Sequence, residues 1–390
     1  MANITHFNVR DVALYYQGLV ALAESPMASA VAAEEIRRRA VTSVERRRAI
    51  FSLPSPRGHF DNLGEKILVD LRQMNLATVA DTKVKLTAAG LAIADGLKKG
   101  EGRRARLAIL GRLVETYDNA AFLCATVTPP IGKPLFIPNP RAATEEMDDE
   151  EGESRVVPAN LESVCAAWAE WCLENHRPDL MPPDFLKRAE ALLEASKEKR
   201  GFAEKARNAL AQLVVESATK GRIAKAPLFG AIRDRLSTAG GLNSVTRPVP
   251  GKPLSVEVVF SCMHIGRPSA REAEWQPLGA RIMQVEDVWI HEAEPAHLVS
   301  SVLAAILEAR RALVERAGYY RIYELRDRVC EGLTLSQGMF DSVFVHMYRT
   351  RPGLMTLGVD YEKITAKRLP IEIRDGASSN LFNLVAFKGQ

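Results

Sequence analysis

Three residues near the middle of the sequence have the types and spacing of metal ligands. Cys165, Cys172 and His176 are separated by seven and four positions, so a helix would place all three on one face. Zinc binds thiolate and imidazole groups and needs a fourth ligand, for which Cys262 or His264 are candidates. The alternative is a buried helix face. Because cysteine is among the most often buried residue types, we favour the core role and predict no metal and no cofactor.

The remaining candidates for catalysis match known sites poorly. "HEAEPAH" (291–297) places two histidines around two glutamates, but Pro295 interrupts any helix there, so the imidazoles do not share a face. A nuclease needs carboxylates and a lysine around a divalent cation. "EASKEKR" and "VDYEK" offer these types on segments better interpreted as a solvated helix face and a β-protrusion. There is no Walker-type loop, G-x-S-x-G elbow or H-E-x-x-H motif. Binding therefore fits better than catalysis, with an enzyme of unrecognised centre as a further alternative.

Basic residues are concentrated in the first third of the chain. Residues 1–128 carry 18 Lys and Arg against 13 Asp and Glu, although the formal net charge of the whole chain is only +4. The densest positive clusters are Arg46, Arg47 and Arg48, followed by Lys98, Lys99, Arg103, Arg104 and Arg106. Such clusters either neutralise phosphates or are ordinary solvated faces.

Length and composition indicate a multidomain globular protein. A chain of 390 residues, 47% of them hydrophobic, predicts two to three domains. Its five scattered cysteines contain no C-x-x-C pair, which indicates reduced thiols in a cytoplasm. The first residues lack the basic-then-apolar order of a signal peptide, and no apolar run approaches eighteen residues. We therefore expect a cytoplasmic protein, of bacterial type, with no membrane partner.

Residues 62–97 have the pattern of a helix, a tight hairpin and a second helix. The apolar residues of the first part share one helix face: Leu63, Ile67, Leu68 and Leu71. Asn75 is a residue type that tolerates the left-handed turn at a helix end. "LATV" and "KVKL" are short strand-like segments around a compact turn at 80–82. Thr87 can then cap the following alanine-rich helix.

This pattern resembles the last helix, the wing and the trailing helix of a winged-helix domain, over about forty residues. Helices predicted at Val9–Ala23 and in "AAEEIRRRA" complete the three that precede the wing. In a DNA-bound winged-helix domain, the helix before the wing enters the major groove and the wing contacts phosphates or the minor groove. The resemblance implies these contact residues: Lys66, Arg72, Gln73, Lys83 and Lys85. Glu65 and Asp70 on the same helix would repel phosphate and count against this docking.

Residues 129–157 are predicted to be a linker. Five prolines precede an acidic run in which seven of the nine residues 145–153 are Asp or Glu. Like charges at this density repel one another and favour a solvated chain. Beyond it, we predict helices at 159–176, at 184–217 and from Leu228 to Gly240, and strands in "LSVEVVFSCMHIG" and "ARIMQVEDVWI".

Residues 293–390 repeat the element order of the first domain without a residue-level repeat. An amphipathic helix follows Pro295 and is predicted to end at Gly318. Two more helices are predicted in "RIYELRDRVCEGL" and "SQGMFDSVFVHMYRT", and "GLMTL" and "RLPIEI" flank a polar stretch typical of a longer wing. The resemblance implies these contacts to nucleic acid: Arg349, Arg351, Lys363 and Lys367. This last helix is poor in positive charge, so it is equally suited to docking protein.

These observations give one prediction of architecture and two of function. The fold is expected to be mainly α with small β-structure (α+β): winged-helix-like domains at 1–128 and 293–390, the linker at 129–157, and a helical middle with a β-hairpin at 158–292. The first hypothesis is a protein that binds double-stranded DNA, as a regulator or as a subunit of a defence or chromosome-maintenance complex. The second is a scaffold of kleisin-like layout whose ends bind protein partners or a second copy of the chain.

Overall fold

The chain is mainly helical with small antiparallel sheets, as the composition and periodicity predict. The computed structural model describes residues 9, 11–51, 62–128, 133–141, 143–146, 154–157, 160–196, 202–223, 226–262, 264–266, 275–277, 289–291, 295–313, 315, 317–360, 370–375 and 378–387.

The N-terminal unit, residues 9–128, contains seven elements around a small sheet, followed by two helices. They are α1 (Ala13–Glu24), β1 (Met27–Ala28), α2 (Ser29–Phe51), α3 (Leu63–Gln73), β2 (Ala77–Ala80), β3 (Lys83–Leu86), α4 (Ala88–Lys98), α5 (Gly102–Thr116) and α6 (Asp118–Val127). β3 pairs antiparallel with β2 and with β1, so the strand order is β1-β3-β2. α2 and α3 cross so closely that a Cβ on Gly64 would lie 1.8 Å from the Ala33 carbonyl oxygen, which requires glycine there.

The predicted helix, hairpin and capped helix are confirmed. After α3, Asn75 adopts a left-handed conformation with φ 55°. Asp81 (φ 50°) and Thr82 (φ 64°) form a two-residue turn of the kind that matches the twist of paired strands. Thr87 caps α4, because its Oγ1 accepts a hydrogen bond from the Gly90 N–H at 3.2 Å and donates one to the Asn75 carbonyl at 2.8 Å.

α2 is longer than the sequence suggested. "AAEEIRRRA" predicted a short helix and then an irregular basic stretch, whereas α2 runs for 23 residues to Phe51. Ion pairs at i,i+3 and i,i+4 spacing support its exposed side: Glu34–Arg37, Glu35–Arg38 and Glu35–Arg39. Hydrogen bonds from Arg38 and Arg39 lower the pKa of Glu35 to about 2. Apolar periodicity alone did not reveal this charge-supported extension.

The middle region combines helices with a three-stranded sheet. Its elements are β4 (Leu135–Pro140), β5 (Ala143–Glu146), β6 (Ser154–Val157), α7 (Leu161–Glu174), a 3₁₀ turn (Pro178–Leu180), α8 (Phe185–Glu194), α9 (Phe202–Ala218), α10 (Ala226–Thr238), β7 (Leu242–Pro248), β8 (Leu254–Ser261), β9 (His264–Gly266), β10 (Trp275–Pro277) and β11 (Trp289–His291). β8 is the central strand and pairs antiparallel with β4 and β7. β11 is the centre of a separate small sheet, between β9 and β10.

The linker prediction needs correction where β4 lies. Residues 135–140 form an edge strand of the middle sheet rather than a linker. Two of the six residues in β4 are proline, which conceals its strand character, and an edge strand tolerates a missing N–H donor. β5 and β6 pair with each other, so the acidic run 145–153 begins on one strand of a hairpin.

Two predictions for the middle helices and strands are also corrected. The single helix predicted over 184–217 is two helices, α8 and α9, which pack against each other. Both helices contribute buried residues to one core: Phe185 and Ala189 from α8, and Ala206 and Leu210 from α9. The segment "LSVEVVFSCMHIG" is two strands: β8 pairs with β4 and β7, whereas β9 pairs antiparallel with β11, which overlaps the end of "ARIMQVEDVWI".

The C-terminal unit, residues 295–387, has the element order of α1 to β3. Its elements are α11 (Pro295–Arg310), β12 (Tyr320–Arg321), α12 (Ile322–Gly332), α13 (Gln337–Thr350), β13 (Met355–Gly358), β14 (Ile371–Asp375), β15 (Ser378–Phe382) and β16 (Leu384–Phe387). The strand order β12-β16-β13 corresponds to β1-β3-β2 in the N-terminal unit. The predicted recurrence of element order is therefore confirmed.

Two details of this unit were predicted wrongly. The strand in "RLPIEI" does not pair with β13; it forms a separate hairpin, β14–β15, inserted before the true partner β16. α11 ends at Arg310, and Gly318, with φ 84°, lies in the turn before β12. A long insertion between paired strands cannot be placed from local alternation, because pairing depends on which segments meet.

Two apolar cores share the middle sheet. The first continues from Val9 in the N-terminal unit to Val259 in β8. The second joins the C-terminal unit to the middle sheet and includes Val258 and Phe260 of the same strand. All of β8 is buried. The described parts of both terminal units are therefore packed against the middle region rather than tethered to it by a linker.

Gly240 gives a test of how closely the N-terminal unit docks on the middle. Its φ is 76°, and an added Cβ would lie 1.7 Å from Nη1 of Arg106, which donates to the Ala239 carbonyl at 2.9 Å. Gly240→Ala would displace this guanidinium and break its hydrogen bond to Ala239. It should therefore lower the free energy of unfolding by about 0.5–1.5 kcal/mol beyond the roughly 1–2 kcal/mol of left-handed strain. The matched control is Gly251→Ala, where φ is 68° and no atom lies within 4 Å of the added Cβ. Urea unfolding followed by circular dichroism measures both; equal losses would contradict the docking argument.

Candidate nucleic-acid interface

The outer face of α3 is exposed to solvent. Its inner face is buried in the first core through Ile67, Leu68 and Leu71, so the opposite side points outward. That outer side consists of half-buried Lys66 and the exposed residues Glu65, Val69, Arg72 and Gln73. The helix face that the sequence assigned to nucleic acid is therefore accessible to a partner.

The hairpin that follows α3 presents two lysines. In β3, exposed Lys83 and Lys85 alternate with buried Val84 and Leu86, so both ammonium groups are on the face of the sheet away from the core. α3 packs against β2, which brings hairpin and helix together in one unit. This surface carries four cations, Lys66, Arg72, Lys83 and Lys85. It also carries two acids, Glu65 on α3 and Asp81 at the hairpin turn.

Asp70 does not belong to this surface, which corrects the expectation that it repels phosphate. It is 2% exposed and faces the interior. Its Oδ2 accepts hydrogen bonds from the Tyr15 hydroxyl at 2.8 Å and from Nη2 of Arg235 at 3.0 Å. Burial raises the pKa of the Asp70 carboxyl, and the charge of Arg235 and the Tyr15 hydrogen bond oppose that rise. The Asp70 carboxylate thus fixes the buried face of α3 to Tyr15 and Arg235.

Arg235 connects α3 to the middle region. It lies on α10, is 2% exposed, and its Nε donates to the Val9 carbonyl while its Nη2 donates to Asp70. Its guanidinium carbon also lies 5.8 Å from the centroid of the Tyr117 ring. Arginine is a fixed fork of five donors, so one side chain can hold a carboxylate and a carbonyl at once. The orientation of α3 is therefore set partly by a residue 165 positions away in sequence.

Gln73 is also held by a buried side chain, that of Tyr117. Its Oε1 accepts a hydrogen bond from the Tyr117 hydroxyl at 2.9 Å, although Gln73 itself is exposed. Tyr117 is 1% exposed and stands between α5 and α6. The sequence search missed these supporting residues: Tyr15, Tyr117 and Arg235. Asp70 was the available signal, because a carboxylate between the buried positions Leu68 and Leu71 of α3 implies a buried partner.

The basic clusters flanking the hairpin lie partly in the described structure. Arg103 and Arg104 are in the first turn of α5, next to exposed Lys98 and Lys99 at the end of α4. Arg104 lies 3.6 Å from Glu101, with both side chains largely exposed, which is a weak surface pair. Arg46, Arg47 and Arg48 are on α2, but their side chains are outside the described residues.

The corresponding helix of the C-terminal unit, α13, has different surroundings. Its first turn, with Gln337, Gly338 and Asp341, lines a cleft of about 760 Å³ shared with the middle region. Arg326, 2% exposed, donates from Nε to Asp341 at 2.8 Å. The first turn is therefore turned toward the rest of the protein. The exposed candidates Arg349 and Arg351 are at the other end of α13, and Lys363 and Lys367 lie outside the described residues.

The two cysteines of the set Cys165, Cys172 and His176 belong to the core. Cys165 and Cys172 are 4% and 1% exposed, as the core interpretation predicted. Burial raises the pKa of Cys165 to about 11 and of Cys172 to about 12, so both thiols stay protonated at neutral pH. His176 follows α7 on an exposed left-handed turn. In the part of the chain that the structure describes, no three His, Cys, Asp or Glu side chains are grouped for a metal ion.

No protein-family model, curated protein or solved structure matches this chain. Within the described ranges, no helix combines the length and apolar character required to cross a membrane.

The buried pair beneath α3 gives a stability prediction. Arg235→Met removes one partner of a buried charge and should lower the free energy of unfolding by about 3–5 kcal/mol. Adding Asp70→Leu should recover part of that loss, because no uncompensated carboxylate remains. Denaturant unfolding of the two single variants and the double variant measures the coupling.

The matched control for this cycle is the surface pair Arg188–Glu216, at 3.1 Å with about a third or more of each side chain exposed. Arg188→Met should change stability by less than about 1 kcal/mol. Strictly additive losses for the Arg235 and Asp70 variants would contradict the anchor role.

Proposed function

We propose that this chain binds double-stranded DNA through its N-terminal unit, which we interpret as a winged-helix domain. The element order α1–β1–α2–α3–β2–β3 and the strand order β1-β3-β2 support this interpretation, because they put one exposed helix directly before a two-stranded protrusion. The C-terminal unit has the same order with an inserted hairpin, which supports a second such domain.

The accessible, donor-rich face of α3 carries the proposal. Arg72, Gln73 and Lys66 line the outside of the helix. Of the two acids that counted against docking, Asp70 is buried and paired and Glu65 is exposed. A helix of this kind fits the major groove, where arginine and amide side chains can bond base edges or phosphates. Val69, 41% exposed on the same face, offers an apolar contact of the kind that thymine methyl groups accept.

The hairpin and the flanking clusters would supply phosphate contacts. Lys83 and Lys85 project from one face of the hairpin, and Arg103 and Arg104 lie at the start of α5. Lysine and arginine release condensed counterions when they neutralise phosphates, which makes binding favourable and strongly salt-dependent. The proposed role is a DNA-binding regulator or the DNA-engaging subunit of a larger complex.

A DNA titration tests the proposal. We expect the purified chain to bind a 30-base-pair duplex at about 50 mM salt and to lose affinity steeply toward 200 mM. Arg72→Ala should weaken binding by about tenfold, and Lys83→Ala should reduce the slope of log K against log salt by about 1. Fluorescence anisotropy with a labelled duplex measures both quantities.

Lys187 provides the matched control. It is an exposed lysine on α8 of the middle region, outside the proposed surface. Lys187→Ala should leave affinity and salt slope unchanged. A wild-type protein that does not bind duplex at low salt, or equal effects of all three variants, would refute the proposed interface.

A protein-binding scaffold is the second candidate, and the surroundings of α13 favour it for the C-terminal unit. The first turn of that helix faces the cleft with the middle region, and Asp341 and Asp327 also line this cleft. A helix whose start borders the middle region is compatible with a unit used for assembly. Purification from the native host distinguishes the candidates: a stoichiometric protein partner that persists in the Arg72→Ala/Lys83→Ala variant supports the scaffold, whereas nucleic acid lost in that variant supports DNA binding.

A further inference from the structure

The Gln73 amide has one orientation set by the protein beneath it. Its Oε1 lies 2.9 Å from the hydroxyl of Tyr117, a side chain that is 1% exposed. An oxygen bonded to a buried hydroxyl lies against the protein surface. The amide nitrogen of the same side chain, on the other branch of the planar group, is then directed away from Tyr117.

The chemistry of the two bonded atoms determines which way this hydrogen bond runs. The amide oxygen of Gln73 carries no proton, so the Tyr117 hydroxyl donates and Oε1 accepts. Tyr117 is itself packed beside Arg235, whose guanidinium carbon lies 5.8 Å from the centroid of the tyrosine ring. The orientation of the amide therefore follows from a hydroxyl donor that the interior holds in place.

We propose that Tyr117 is a positioning residue that makes α3 prefer guanine over adenine at the base pair that Gln73 contacts. The proposal rests on the proposed DNA-binding function and adds a base preference to it. With the oxygen of Gln73 held by Tyr117, this end of α3 presents hydrogen-bond donors: the Gln73 NH₂ group and the Arg72 guanidinium. Guanine offers two acceptors, N7 and O6, in the major groove, whereas adenine offers N7 and a donor amine.

Adenine is the usual partner of an unrestrained glutamine, because the amide accepts from N6 and donates to N7. That arrangement needs the amide oxygen at the base edge. Here the oxygen is held against the buried hydroxyl, so the second bond to adenine is lost. One hydrogen bond corresponds to about a fivefold difference in affinity.

The experiment selects duplexes from a random-sequence 30-base-pair library with the wild-type protein. The same selection is repeated with Gln73→Ala, and the position whose base preference changes between the two proteins is the one that residue 73 contacts. Dissociation constants are then measured for duplexes with guanine or adenine at that position. Wild type should prefer guanine by about fivefold, and Tyr117→Phe, which removes only the hydroxyl, should reduce that preference to about twofold or less.

Tyr320→Phe is the matched control. It also removes the hydroxyl of a buried tyrosine, but that hydroxyl donates to Glu315 at 2.8 Å in the C-terminal unit, away from α3. It should leave the guanine preference unchanged even if it destabilises the fold. Gln73→Glu gives a second readout, because a carboxylate can still accept from Tyr117 but has no N–H to donate, so guanine preference should disappear.

The outcomes separate the two proposals. Failure of the wild-type protein to bind the library at low salt overturns both. Binding without a guanine preference at the Gln73 position, or an equal loss of that preference in Tyr320→Phe, overturns the positioning role of Tyr117 and leaves DNA binding intact. If the guanine preference is lost in Tyr117→Phe and in Gln73→Glu but kept in the control variant, the inference is supported.

Discussion

The buried contact between Asp70 and Arg235 is the constraint on which the candidate interface depends. A carboxylate inside a protein needs paired donors, and Arg235 and Tyr15 supply them at 3.0 and 2.8 Å. Because Arg235 lies on α10, this pair fixes α3 to the middle region as well as to its own unit. The exposed side of α3 is therefore presented by a rigid support, which binding surfaces require for selectivity.

The same network extends to the surface through Tyr117 and Gln73. Arg235 donates to Asp70 and packs beside the ring of Tyr117, and the Tyr117 hydroxyl donates to Gln73. Interior packing and surface chemistry are thus linked on α3: Asp70 points in and is held by Arg235, whereas Gln73 points out and is held by Tyr117. In the proposed function, these buried side chains supply the hydrogen-bond partners that α3 would lack as an isolated helix.

The two terminal units show how one element order can have two environments. α3 has an exposed outer face, whereas the first turn of α13 faces a cleft with the middle region. Both units pack against the middle region, where the central strand of the sheet β4-β8-β7 contributes residues to both cores. The element order does not by itself decide which helix is accessible; the packing of each unit on the sheet does.

The sequence alone determined the local structure between 62 and 98, because helix periodicity, turn chemistry at Asn75 and the Thr87 cap are short-range effects. It also indicated the exposed cations and the recurrence of element order at the C-terminus. The tertiary structure decided what short-range patterns cannot contain: the pairing of proline-rich β4 with β8, the true partner of β13, and the burial of Asp70 against Arg235. These depend on which distant segments meet, and Asp70 changed from a surface charge to an internal anchor only because its partner lies 165 residues along the chain.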